Sequence, residues 1–243
     1  MQVWRDAKKI FEAPESDYTR ALIAAESAGI PTLIMLNKTD LPTVDAARER
    51  LALARTAMPG EARLIVAESQ LLRDAGRHQE AYAFLANSLE AQPDQDELLY
   101  EISLVAEKLG QLDVVERHLR RLIALKPDSP QGYNALGYTF ADHNIRLDEA
   151  AALVDKALSL ATDDSFILDS KGWVLFRQGK LDAALETLKK AYAKQPDAEI
   201  AAHIGEVLWQ MGRKDEARSI WTEANKAHPG NEALNATIKR FLP

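Results

Sequence analysis

The sequence predicts an all-α, right-handed solenoid of helix–turn–helix repeats, and three observations carry that expectation. Pro59, Pro93, Pro127, Pro196 and Pro229 fall 34, 34, 69 and 33 residues apart, so the long gap is two periods. Aligned on these prolines, Ala47, Ala81, Val115, Ala150, Ala184 and Ala217 form one column. Leu51, Leu85, Leu119, Val154, Leu188 and Trp221 follow four residues later, and Ala54, Ser88, Leu122, Ala157, Ala191 and Ala224 seven later. Offsets of four and three put all three columns on one helical face, which must pack on a neighbour. Third, an upstream helix in each period ends near Gly76, Gly110, Asn144, Gly179 or Gly212, residue types that close a helix in the left-handed conformation.

The elements follow in chain order. Residues 1–43 are an atypical segment, either fused or a degenerate repeat. Val3, Trp4, Ala7, Ile10 and Phe11 make one helical face, and Tyr18, Ala21, Leu22 and Ala25 make another. Pro14 separates the two and Ser16 caps the second. Pro31 to Leu41 reads as a helix, a strand or a disordered stretch, helix being the cheaper solution. As a helix, Pro31 occupies the first turn and Leu33, Ile34 and Leu36 pack inward. As a strand, Thr32 to Asn37 lacks any second strand-like run to satisfy its backbone. Residues 44–61 give the second helix of a partial repeat, and five full repeats follow at 62–95, 96–129, 130–164, 165–197 and 198–231. The third carries an extra residue near His143 to Arg146, and Thr162 replaces its closing proline. Ser69, Ser103, Gly137, Gly172 and Gly205 recur in mid-helix, where small residues let helices cross. The glycines cost ~1 kcal/mol each against alanine. Residues 232–243 form a helix that caps the open end of the stack.

Composition narrows the function. The 243 residues carry 37 acidic and 30 basic side chains, a formal charge of −7, so no uniform basic field draws the chain to nucleic acid. Zero cysteines exclude disulfides, thiolate zinc sites and a cysteine nucleophile. The longest apolar runs, such as Thr32 to Leu36, fall far short of the ~20 residues that span a bilayer, so direct membrane insertion is not expected. His78, His118, His143, His203 and His228 are scattered, with no His-x-x-x-His pair, and read as surface or interhelix residues. Asp94/Asp96 and Asp163/Asp164 lie where one repeat passes to the next and read as carboxylates that cap helix starts and favour the positive dipole end. With no nucleophile elbow, glycine-rich phosphate loop or metal spacing, the chain reads as a non-enzyme without cofactor or metal.

Asn134-Ala-Leu-Gly-Tyr138, Lys171-Gly-Trp173 and Gly179-Lys-Leu-Asp-Ala-Ala184, followed by Pro196, resemble the tetratricopeptide repeat (TPR). The resemblance implies that the first helix of each repeat lines a concave groove for a protein or peptide. Its groove positions fall on Arg63, Arg73, Tyr100, Asn134, Tyr138, Phe166, Trp173, Phe176, Arg177 and Trp209, with Gln70, Asp142, Asp169, Glu199 and Glu206 among the polar neighbours. Aromatic and arginine side chains are the usual binding hot spots. Trp173 and Trp209 also read as core. Val66 and Gln70 stand where a carboxylate clamp would need Lys and Asn, so that clamp is not implied.

Two finer resemblances point further. Asn134 to Asp142 and Phe166 to Val174 are similar to the C-terminal repeats of bacterial envelope lipoproteins that are adaptors for carboxyl-terminal processing proteases. This implies a periplasmic scaffold whose partners are such a protease and its substrates. The chain itself shows no signal peptide or lipobox Cys and would be cytoplasmic if complete; self-association is left open. Residues 15–42 resemble part of a circularly permuted ribosome-assembly GTPase, with Asn37, Lys38 and Asp40 as its guanine-reading motif. The implied alternative is a guanine-nucleotide-binding remnant fused to the array. No Gly-x-x-x-x-Gly-Lys-Ser/Thr loop accompanies it to hold phosphates.

Overall fold

The computed structural model describes residues 43–242, which form twelve α-helices and, among the described residues, no strands. Asn37, Lys38 and Asp40, and the choice between helix and strand at Thr32 to Asn37, lie outside the described residues. The chain divides into two compact units, one ending at Leu125 and the other beginning at Lys126.

In the first unit, α1 (Val44–Ala57) packs on α2 (Ala62–Asp74). The pairs that follow are α2 with α3 (His78–Ala91), and α4 (Asp96–Lys108) with α5 (Leu112–Leu125). The second unit holds α6 (Pro130–Asp142) with α7 (Leu147–Leu160), α8 (Ser165–Arg177) with α9 (Leu181–Lys194), and α10 (Ala198–Gln210) with α11 (Lys214–Ala227). A final helix, α12 (Glu232–Phe241), packs on α10 and α11. Within each unit, first helices of successive pairs touch one another: α2 with α4, α6 with α8, and α8 with α10. Each linking second helix packs between two first helices.

The column of small residues explains how a pair closes. A Cβ on Gly137 would lie 2.7 Å from Val154 Cγ2, one on Gly172 2.5 Å from Leu188 Cγ, and one on Gly205 2.0 Å from Trp221 Nε1. Val154, Leu188 and Trp221 are the large column of the partner helix and are fully buried. In the first unit Ser69 and Ser103 take the small position and are likewise buried.

The turns within pairs close as the glycines require. Gly76, Gly110, Gly179 and Gly212 have φ of +73°, +70°, +77° and +80°. The next residue's N–H returns to a carbonyl one turn back in each case, as Lys180 does to Leu175 at 2.9 Å. The α6–α7 turn is one residue longer. Asn144 (φ +55°) takes the glycine's place and Arg146 (φ +47°) is a second left-handed residue, its guanidinium 3.9 Å from the centre of the Phe140 ring. Stacking on an aromatic face offsets part of the strain of that conformation.

The junction carboxylates divide their roles: Asp164 caps, Asp96 lies in the first turn of α4 at the positive dipole end, and Asp94 and Asp163 pair with cations instead. Asp164 accepts from the N–H groups of Phe166 (2.8 Å) and Ile167 (3.0 Å) and caps α8. Asp94 instead binds Arg121 at 2.6 Å, Asp163 binds Lys194 at 2.9 Å, and Asp96 is already inside α4. A short carboxylate caps only when it immediately precedes the first turn.

Candidate functional site

The first helices of the second unit bring most of the implied groove residues together, in two layers. Along α6, Asn134 and Tyr138 are half-buried and Asp142 is exposed, four residues apart and so on one face. On α8, Asp169 and Trp173 stand four apart, with Phe176 and Arg177 beyond them. On α10, His203 and Glu206 are buried and Trp209 is half-buried.

The deeper layer is held by contacts between successive first helices. Trp173, only 4% exposed, donates its indole N–H to Asp142 Oδ1 at 3.2 Å, stacks on His203 with ring centres 4.2 Å apart, and meets Phe176 at 5.0 Å. Arg177 donates from Nε to the Ala141 carbonyl (2.9 Å) and from Nη2 to the Asp142 carbonyl (2.6 Å), tying α8 to the end of α6. His203 donates from Nδ1 to Asp169, 2.9 and 3.0 Å from the two oxygens, while Nε2 lies 3.5 Å from the Tyr138 hydroxyl. Burial pulls the His203 pKa down, but the charge and hydrogen bond of Asp169, with Glu206 and Glu199, outweigh it and raise the pKa above 6.5.

Four of the implied groove residues make contacts within the fold. Trp173 is core, as its dual reading allowed. Arg177 has spent its fork on backbone carbonyls, and Phe176 packs on Trp173 and the apolar core. Trp209 stacks on Trp221 (5.8 Å) and meets Phe241 (5.6 Å), so it serves the junction of α10, α11 and α12. Side chains of this size pay back most when buried on all sides, and each repeat has only its neighbours to supply that burial.

The shallower layer remains open. Phe166, at the start of α8, is 50% exposed. Asn134 carries a buried Oδ1 without a hydrogen-bond partner. In the first unit, Tyr100 is half-buried, and Arg63 is exposed and bound to Glu61 at 2.8 Å. Arg73 lies 3.5 Å from the buried Glu101, which also accepts from Ser69 at 3.1 Å. Burial raises the Glu101 pKa, against the opposing pull of Arg73 and Ser69. No group of three His, Asp or Glu side chains among the described residues is placed to hold a metal ion.

Sequence reasoning missed the Asp169–His203 pair. The available signal was its separation of 34 residues, one repeat period. Glu206–Arg240, also at 34, shares that spacing, which sets equivalent positions side by side, and Trp173–Asp142, at 31, lies about one helical turn short of it.

Known proteins carry the same architecture. Residues 100–165 and 175–240 each match the family described as Tetratricopeptide repeat, and together these stretches exceed half of the chain. A TPR repeat-containing protein of Pseudomonas aeruginosa is 43% identical over 199 residues, 82% of this chain and 34% of the relative, so the chain spans about a third of that relative's length. A thermophilic TPR protein of Thermus thermophilus superposes with a TM-score of 0.67 at 23% identity, covering 74% of this chain and 98% of its own. The APC/C hetero-tetramer Cut9–Hcn1 gives a TM-score of 0.67 at 16% identity, covering 100% of this chain and 46% of its own. A fold built from stacked helix pairs, with family matches in both units, places the chain in the tetratricopeptide-repeat family, whose members bind protein partners.

Proposed function

We propose that the chain is a non-enzymatic scaffold that binds a protein or peptide on the inner face of its second unit. The observation that carries this reading is the pairing of an open layer with a locked one. Phe166 offers half of an aromatic surface. On α8 and α10, Trp173 and His203 are held in place by Asp142 and Asp169. A preorganised floor lowers the ordering cost of binding, and the exposed aromatic supplies contact area. Peptides selected from a displayed library on the wild-type protein test this. Phe166→Ala is expected to weaken them about tenfold, or about 1.4 kcal/mol, without moving the melting temperature. Selection of no peptide, or equal binding by the variant, would remove the inner face from consideration.

A narrower reading rests on the phrases Asn134 to Asp142 and Phe166 to Val174. Their similarity to envelope adaptor repeats supports a carboxyl-terminal processing protease and its substrates as partners, in the bacterial envelope. Calorimetry with such a purified protease is expected to show binding that Phe166→Ala weakens; no heat of binding would leave only the general scaffold.

A further inference from the structure

The first unit presents a different surface. There α3 and α5 both pack on α4, and between them lies a cleft of about 720 Å³. Its α3 wall carries Tyr82, Ala86, Leu89 and one carboxylate, Glu90, over the buried Leu99 and Ile102 of α4, and its α5 wall carries Arg117, His118 and Arg121. That volume lies within the roughly 300 to 1,000 Å³ of pockets that take ligands.

The basic wall is not a requirement of the repeat. The equivalent cleft of the second unit, among α9, α10 and α11, has Ile204 in its floor, three periods after Ile102. That cleft encloses only about 350 Å³, and Glu223 takes the place of Arg121 and Ser219 that of Arg117. The same fold therefore tolerates the opposite charge at this rim. Nor do internal contacts consume the basic groups. Arg117 is exposed and forms no ion pair among the described residues. Arg121 holds Asp94 in a pair whose side chains are 50% and 53% exposed, an interaction that costs little to exchange. In a chain of charge −7, a local cluster of cations beside an apolar floor is complementary to acidic and apolar groups on one partner face.

We propose that the α3–α5 cleft docks an acidic amphipathic helix of a partner protein, its apolar residues on Tyr82, Ala86 and Leu89 and its carboxylates on Arg117 and Arg121, away from Glu90. Such a helix would present anchors at i, i+3 or i+4 and i+7, the usual way a helix fills a groove between two others. This docking face is independent of the inner face assigned above.

The test uses the full chain and a fluorescein-labelled helical peptide with Leu at i, i+3 and i+7 and Glu on its flanks. Three controls accompany it: a scrambled peptide of equal composition, a Lys-for-Glu peptide and a single-stranded oligonucleotide of equal charge. The acidic peptide is expected to bind at least tenfold more tightly than any control. Arg117→Glu with Arg121→Glu should weaken it at least tenfold, whereas Phe166→Ala should not. If the double reversal lowers the melting temperature, Arg117→Ala alone, at an exposed site, is expected to weaken binding in the same direction. Absence of binding at millimolar peptide, or binding indifferent to the arginine variants, would overturn the proposal. Equal binding of the scrambled peptide or the oligonucleotide would reduce the cleft to a general anion attractor and overturn it too. Sedimentation showing a dimer of the chain that the arginine variants abolish would make the occupant a second copy, again against the proposal.

Discussion

Gly205 and His203 sit two residues apart on α10 and illustrate opposite constraints, one on volume and one on charge. A Cβ at position 205 would fall 2.0 to 2.7 Å from three atoms of the Trp221 indole, which is fully buried and donates its N–H to the Ala202 carbonyl at 3.2 Å. The indole has no flexible end that could swing away. Gly205→Ala is therefore expected to destabilise by about 1 to 3 kcal/mol despite alanine's better helix propensity, read as a lower urea midpoint. An unchanged or higher midpoint would show that α10 and α11 can separate at no cost. His203 bears on pH. Its folded-state pKa lies above 6.5, so folding favours the imidazolium. That contribution is complete below about pH 6.5 and is lost as pH rises through the folded-state value. Urea midpoints of the wild type should thus exceed those of His203→Gln by more at pH 6 than at pH 8.5. The difference between the two proteins cancels the other titrating groups, among them His118, whose pKa burial and Arg117 lower. A gap that widened with pH would mean that burial, not Asp169, governs the ring.

At the scale of an element, α12 shows why a stack of repeats needs an end. Asn231 caps it, accepting from the Leu234 N–H at 2.8 Å, and its buried Leu234 joins the core of the second unit. Phe241 stacks on Trp221 at 5.4 Å. Thr237 donates to Glu206 at 3.3 Å, and Arg240 pairs with the same carboxylate. Without α12, the aromatic face of α10 and α11 meets water and a buried glutamate loses both partners. Truncation after Asn231 is expected to cost at least about 3 kcal/mol, from Leu234 and Phe241 alone, and to expose surface that binds a hydrophobic dye. Arg240→Ala separates the terms, because it removes the ion pair and leaves the apolar cover. A truncated chain that melts with the full one and binds no more dye would show that α12 is not a cap.

At the scale of the whole chain, stability in a repeat protein is close to a sum of repeat and nearest-neighbour terms. Damage at one pair should therefore stay near it. In the Gly205→Ala protein, amide hydrogen exchange is expected to accelerate in α8 to α12 and to remain at wild-type rates in α2 to α5. Uniform acceleration along the chain would instead mean that all described helices open together.

The repeat itself was legible because it is a one-dimensional property. Leu51, Leu85, Leu119, Val154, Leu188 and Trp221 recur at one period, and the small residues from Ser69 to Gly205 recur beside them, so the helix faces and their close crossing follow from spacing and volume. Glycine at φ > 0 likewise needs only its local turn, and Asn144 was readable in the same place. The second left-handed residue, Arg146, was not, since its support comes from the Phe140 ring in a different turn of the chain. The inner face shows the larger limit. Spacing put Trp173, Arg177 and Tyr138 on first helices, but it could not say whether each side chain points at a ligand or at the neighbouring repeat. That choice depends on what stands one period away: Asp142 and the carbonyl ends of α6 for Trp173 and Arg177, and His203 for Tyr138. The sequence alone determined the class of fold and the positions of its crossings, because a regular helix pair repeats its own geometry. Only the tertiary structure decided which of the aromatic and charged residues pack on a neighbouring repeat, because there one residue's partner is another period's side chain.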